Sequence, residues 1–328
     1  METTILGLNS ATFPHLHIWD WRVALYLFLG GLTAGAMVMS SVANLRKDKS
    51  SLKEKACCVR LPLIAPLLLA VGMFFLFLDL ENKKNMFWFY MTLQPLSPMS
   101  WGSWALLAVY PVMILFGLSV LPEEFYPRLP FAFLKRLAAT LQPQMRRLAA
   151  ANFVMGILLG VYTGVLLSSY VARPLWNSAL LPVLFLISAL SSGAALAIIM
   201  AKQDKAKLFF TKVDIWLLFA EIFVLVGLFY GHYSSTEAHR EAIMPFFDIS
   251  SQHFPYAISI ILLSIVLPGA IVLKFLEVRV DHEGPIVGRA KTQMITSAAL
   301  VLVGALIIRF AIVYAGQLSS LSRYTSIY

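Results

Sequence analysis

Cysteine is scarce in this chain: only Cys57 and Cys58, adjacent in what reads as a basic loop. Two neighbouring thiols cannot supply four ligands to an iron–sulfur cluster or a structural zinc, so no such cluster is expected in this chain alone. Charge is also scarce, at 13% of the 328 residues, against 59% hydrophobic residues and a mean hydropathy of +0.77. A soluble domain cannot hide that much apolar surface, so the protein reads as bilayer-embedded. Histidine is missing where haem would need it. His15, His17, His239 and His253 lie outside the long apolar runs, His282 lies in a polar stretch and His232 at the end of a run. Haem held between membrane helices needs axial ligands at membrane depth, so none is expected here. Residues 1–18 also lack the basic start and short apolar core of a cleavable leader.

What is present is a series of eight apolar runs, near 20–44, 61–81, 102–121, 148–171, 180–201, 214–234, 257–276 and 292–316. Each is long enough to cross about 30 Å of hydrocarbon as a helix, and lipid forbids open sheet edges. The predicted class is therefore an all-α integral membrane protein with eight transmembrane helices. The connections sort by charge. Arg46, Lys47, Lys49, Lys53, Lys55 and Arg60 follow the first run, and Arg128, Lys135, Arg136, Arg146 and Arg147 the third. Lys202, Lys205, Lys207 and Lys212 follow the fifth, and Lys274, Arg279, Arg289 and Lys291 the seventh. These nineteen stand against five on the opposite side, Lys83, Lys84, Arg173, Arg240 and Arg323. The positive-inside rule then puts both termini outside. It also accounts for the net charge of +9 without a nucleic-acid partner.

A duplication is visible. "YLFLGGLTAGA" in the first run matches "VLFLISALSSGAA" in the fifth, and "VYTGVLLSS" in the fourth matches "VYAGQLSS" in the eighth. Both pairs are four helices apart, which predicts two parallel four-helix-bundle repeats, 1–171 with an outer N-terminal tail and 172–328. The competing account is chance likeness among small-residue packing faces such as Gly31-xxx-Gly35 and Gly160-xxx-Gly164.

Ionisable groups inside a membrane are costly, so each is a functional candidate. The sixth run carries Asp214, Glu221 seven residues on, and His232 eleven further. That spacing returns to one helix face and suggests a proton ladder, with a Glu221–His232 gap of about 16 Å for waters or neighbouring side chains to fill. The alternative is an ion pair between Glu221 and Arg309 of the eighth run. Asp79 and Glu81 close the second run, where a solvated helix end is the plain explanation. The stretch "MFWFYMTLQPLSPMSWGSW" (86–104) is broken by Pro95 and Pro98 and suits an interfacial aromatic belt. "HLHIWDWR" sets His15, His17, Asp20 and Arg22 at the outer mouth of the first helix, on the side that gathers five of the six histidines.

Taken in order, "WDWRVALYLFLGGLTAGA", "SPMSWGSW", "GVYTG", "RPLWN", "LLPVLFLISALSSGAA", "AEIF" and "RFAIVYAGQLS" make the chain resemble NrfD-like membrane subunits of polysulfide reductase and formate-dependent nitrite reductase systems. The resemblance implies a haem-free site for a quinone or quinol, menaquinone by type, in the bacterial inner membrane with periplasmic termini. It also implies an iron–sulfur subunit on the periplasmic side, passing electrons to or from a terminal reductase or cytochrome, with membrane lipid around the chain. Relatives often end the second helix with Asp-Leu-Gly-Arg-Pro, whereas this chain reads Asp79-Leu80-Glu81-Asn82-Lys83. Asp79 fits that pattern and the Arg-Pro element is absent. The family tyrosine that contacts quinone aligns with Tyr162, and a family histidine in the first helix aligns with Tyr26. Expected quinone contacts are thus Tyr162, Tyr26, Asp20 and His17; the expected proton path is Glu221, Asp214, His232, Asp79 and Arg309. Tyr162 would lie about 13 Å below the helix end at Val171, with room for the quinone ring left by the adjacent glycines, Gly160 and Gly164. Arg173 to Asn177 would form the connection beside the partner. Two other classes compete: a secondary transporter, with a helix break at Pro268-Gly269, and a purely structural anchor.

Overall fold

The computed structural model describes residues 19–45, 55–128, 131–249, 254–259, 266, 269–270 and 289–319. All regular structure among them is helical. The long helices are α1 (Trp21–Leu45), α2 (Lys55–Asp79), α4 (Pro98–Val120), α6 (Met145–Ser168), α7 (Leu180–Met200), α8 (Asp204–Tyr233) and α11 (Arg289–Leu318). Shorter ones are α3 (Met86–Met91), α5 (Ala132–Leu141), α9 (Glu237–Ile243) and α10 (Phe254–Ser259). Among the described residues seven stretches are long and apolar enough to cross a membrane, so the protein is multi-pass. The remaining expected span, 257–276, with Pro268, falls almost wholly outside the described residues.

Helix α1 is the axis of the bundle and packs against α2, α6, α7 and α11. Its sequence allows this because small residues let backbones approach. At the α1–α7 crossing, a Cβ on Gly35 would overlap the Ala189 carbonyl, and one on Gly193 would overlap the Gly35 backbone. Helix α2, by contrast, leaves Leu67, Val71 and Phe74 exposed, as a lipid-facing helix does.

Several boundaries differ from the sequence expectation. Helix α4 begins at Pro98, four residues before the expected start at 102, because proline at the first helical turn sacrifices no hydrogen bond; it carries Trp101 and Trp104, both exposed. Helix α6 ends at Ser168, where Ser168 and Ser169 hydroxyls bond the Val165 and Leu166 carbonyls at 3.1 and 2.7 Å. Helix α8 begins at Asp204, ten residues early, since its lysines are good helix formers beyond the apolar run. Cys57 and Cys58 fall within the first turns of α2 rather than in a loop.

The helix ends form two opposite faces. One, the tryptophan end, gathers Trp19, Asp79, Trp176, His232 and Gln317. The other, the basic end, holds the last residues of α1, α4 and α7, Leu45, Val120 and Met200.

Candidate functional site

At the tryptophan end a cavity of about 540 Å³ opens between α1, α2, α4 and α6, with α3 beside its mouth. Its deep wall brings together Tyr26 of α1 and Tyr162 of α6. Among the described residues neither hydroxyl has a protein hydrogen-bond partner, so both remain available as donors. Apolar side chains, Val23, Met73, Leu76, Phe77, Leu106 and Leu166, line most of the rest. The mouth is polar, with Asp79, Glu81, Asn82 and Asn85. Asp79, expected on a proton path, thus stands in the same cavity as the two phenols. Tyr90 closes one side, its phenol pushed above the ordinary range by burial.

Room for the Tyr162 ring does not come from its flanking glycines, as the sequence suggested. A Cβ on Gly160 would stand 2.9 Å from Leu186 Cδ1, and one on Gly164 would meet Pro182, so both face other helices. The space is supplied by Gly102 of α4, where a Cβ would overlap the Tyr162 hydroxyl and ring. Sequence reasoning missed Gly102, although it stands inside the quoted motif "SPMSWGSW". Tyr162 lies six residues, or about 9 Å of helix rise, below the end of α6.

Of the remaining expected contacts, Asp20 is exposed at the rim and outside the cavity wall, and His17 lies outside the described residues. Arg22 donates to the Leu78 carbonyl at 3.2 Å and fastens the end of α2 to α1. Trp19 forms part of the wall. Its backbone is clamped by Gln317, whose Oε1 accepts from Trp19 N at 3.1 Å and whose Nε2 donates to Trp19 O at 2.8 Å. The Trp19 ring stacks on Trp176 at 5.1 Å, with Tyr170 edge-on to both. Trp176 donates its indole N–H to Ile312 O at 2.7 Å, and Arg173 donates to the carbonyls of Gln317 and Ser319. The "RPLWN" segment is therefore a strap tying the α6–α7 connection to α11 behind the cavity wall.

A second polar region lies between α7, α8 and α11. Ser191 donates to Asp214 Oδ1 at 2.6 Å. Glu221 is 3% exposed and its Oε1 has no partner; Ser188 Oγ is likewise unsatisfied. Arg309 donates to Phe185 O at 3.0 Å and lies 3.7 Å over the Phe185 ring, while its Nε and Nη1 lack partners. Glu221 and Arg309 therefore share a buried layer without forming the direct ion pair considered above. Unsatisfied buried polar atoms of this density call for ordered water. His232 stands apart: its ring nitrogens lie 2.8 Å from Leu228 O and 3.2 Å from Pro174 O. Buried Val224, Leu225 and Leu228 separate it from Glu221 along α8. Next to it, His239 is held below the ordinary histidine range by burial and by His232.

Comparison with known proteins agrees with this architecture. The family model described as polysulphide reductase, NrfD, matches residues 9–320. A polysulfide reductase polypeptide of Wolinella succinogenes is 30% identical over 308 residues, 92% of this protein and 94% of that one. Protein NrfD of Escherichia coli is 28% identical, over 92% of this protein and 96% of the relative. A tetrathionate reductase polypeptide of Salmonella typhimurium is 27% identical over 190 residues, 57% of this protein and 50% of the relative. The family match runs nearly end to end, through every helix that builds the cavity and the buried layer: the chain belongs to the NrfD family of membrane proteins.

Proposed function

We propose that the protein is the quinone-reactive membrane subunit of a multi-subunit oxidoreductase. It exchanges electrons between menaquinol and an iron–sulfur subunit seated on the tryptophan end, and through that subunit with a terminal reductase or cytochrome. In this reading the tryptophan end and both termini face the periplasm of the bacterial inner membrane. The carrying observation is the 540 Å³ cavity with two unpartnered phenols at its floor and carboxylates at its mouth. That volume suits a single ring system, and mostly apolar walls with a few convergent polar groups are what such a ligand needs. A quinol gives up two electrons and two protons on oxidation. Tyr162 and Tyr26 would fix the ring oxygens by hydrogen bonds before electrons move, and Asp79 at the mouth would pass protons toward water. Two of the relatives are named as parts of reductases, one for polysulfide and one for tetrathionate, which supports a role within a larger complex.

The buried layer favours an added reading, in which Asp214, Glu221 and Arg309 relay protons through the second half. Unpartnered Glu221 and Arg309 atoms support it, since a purely structural pair would be closed. For His232 to join that relay, water must bridge the apolar interval. Duplication of the two halves remains our reading as well; it is supported by Gly35 and Gly193, matching positions of the paired motifs, meeting at one crossing.

The test is Tyr162→Phe in the assembled complex, comparing quinol-driven with dye-driven activity. Losing one hydrogen bond at the ring oxygen costs about 1–3 kcal/mol, or roughly ten- to a hundredfold in quinol-driven rate. Dye-driven turnover of the partner subunits is expected to survive. Equal retention of both activities would leave the phenol as packing only.

A further inference from the structure

The connection between α4 and α6 is longer than a membrane crossing needs. Residues 132–168 form one helical run of 37 residues, about 55 Å if straight, against about 30 Å of hydrocarbon. The 24 residues of α6 alone rise about 36 Å and complete the crossing. Helix α5 is therefore surplus. Between α5 and α6 stands the tighter turn Gln142–Gln144, which contains Pro143, and α5 packs on α4 and on that turn.

What α5 exposes is amphipathic. Only Ala138 of its residues is buried, with Leu134, Leu137 and Leu141 half-buried around it. That apolar arc continues past the protein contact to Phe133, which is 69% exposed, and the preceding Phe131 is 66% exposed. Arg136 lies about 60° beyond Phe133 around the helix, opposite Ala138 and exposed, and Arg146 and Arg147 are exposed where α6 begins. Among the described residues no carboxylate pairs with these arginines. Two large apolar side chains beside three open cations, at the level where the spanning helices end, match the composition of an interfacial helix.

We propose that α5 lies in the plane of the membrane at the basic end, with Phe131 and Phe133 in the acyl region and Arg136, Arg146 and Arg147 binding the phosphate headgroups of anionic phospholipid. The membrane is favoured over a protein partner by charge complementarity and by position. The cations stand where α6 begins and where α5 packs on α4, beside the exposed Phe131 and Phe133. Open cations next to exposed aromatic rings complement an anionic lipid surface. This inference does not depend on the quinone reading.

Two measurements on the purified complex test it. In native mass spectrometry with equal phosphatidylglycerol and phosphatidylcholine, the wild type is expected to retain phosphatidylglycerol preferentially. Each cation removed should lower that preference about fivefold, so Arg136→Gln/Arg146→Gln/Arg147→Gln should bring it close to phosphatidylcholine. No preference in the wild type, or an unchanged one in the variant, would overturn the proposal. Should the triple variant fail to assemble, a nitroxide on Phe133→Cys, in vesicles of the two lipids, gives an independent reading. Collisions with oxygen exceeding those with a water-soluble nickel chelate are expected. Dominance of the chelate would place α5 in water, and shielding from both reagents would mean a protein covers it; either result refutes the assignment.

Discussion

Gly102→Ala is the sharpest perturbation this structure offers, because it adds one methyl group at a buried position in the cavity wall. Gly102 belongs to α4 and is buried, and its missing Cβ is the space in which the Tyr162 phenol ends. The helices on both sides are fixed by packing, so either the backbones part or the phenol leaves. Parting them is overpacking, at about 1–3 kcal/mol of stability. Expelling the phenol removes the donor from the cavity floor, at about 1–3 kcal/mol of binding to the ring oxygen, or roughly ten- to a hundredfold in rate. The softer route is rotation of one side chain into a cavity that has room for it, so loss of quinol-driven turnover with intact assembly is expected. Phenylalanine at 162 would still crowd an alanine at 102, yet both single changes remove the same hydrogen bond. The double variant should therefore be no slower than the worse single one, a clear departure from additivity. Gly231→Ala is the control, since nothing lies within 4 Å of its added methyl. The assay is quinol-driven against dye-driven turnover of the assembled complex. Full quinol-driven activity in Gly102→Ala would refute the argument, and additive losses in the double variant would show that the two residues act separately.

Glu221→Gln should slow proton uptake or turnover while the thermal midpoint of the complex moves little, since no direct Glu221–Arg309 ion pair is lost. Unchanged rates with a destabilised complex would instead make Glu221 a packing residue. Orientation is open to C-terminal fusions, which should be active with a periplasmic reporter and silent with a cytoplasmic one; the reverse pattern would move the cavity to the other face. His239 is held below the ordinary histidine value of about 6.5 by burial and His232, so the unfolded segment takes up its proton first as pH falls. The stability it lends is present above that value and is lost on acidification. Protection of residues 237–243 against hydrogen exchange, corrected for the pH dependence of the intrinsic rate, should fall as pH drops below about 6.5, and His239→Gln should flatten that dependence; a flat wild-type protection profile would count against the assignment.

Composition and apolar run length were enough to find seven spans, because a helix in lipid must be apolar for its whole crossing. They fail at helix ends, where the limiting physics is local. Lysines extend α8 beyond the hydrocarbon, serine hydroxyls end α6, and proline opens α4 without cost. Tyr162 and Tyr26 were legible as a pair through family resemblance, and the structure puts both in one cavity wall. Gly102 was not legible, since a pattern shows that a residue is small without showing what fills the space beside it. The ladder spacing of Asp214, Glu221 and His232 describes one helix face correctly. It could not show that His232 turns to the Leu228 carbonyl of its own helix and to the Pro174 carbonyl, because the second partner is supplied by the strap between α6 and α7.

That strap also bears on how the two polar regions relate. Helix α1 presents Val23 and Tyr26 to the cavity. Five residues beyond Tyr26, a Cβ on Gly31 would stand 3.0 Å from Arg309 Nη2, so α1 touches the cavity with one side and the buried layer with another. At the end of α1, Trp19 is cavity wall, stacked on Trp176 and clamped by Gln317 of α11, the helix that carries Arg309. The α1–α7 crossing at Gly35 and Gly193 leaves no slack for one helix to slide past the other. A ring entering the cavity therefore presses on a helix whose opposite face and whose end are both tied to the arginine-bearing helix. Packed interiors transmit such displacements because they have few voids to absorb them. Contact through α1 and α11, rather than a continuous row of titratable side chains, is the physical link this fold provides between its two polar regions.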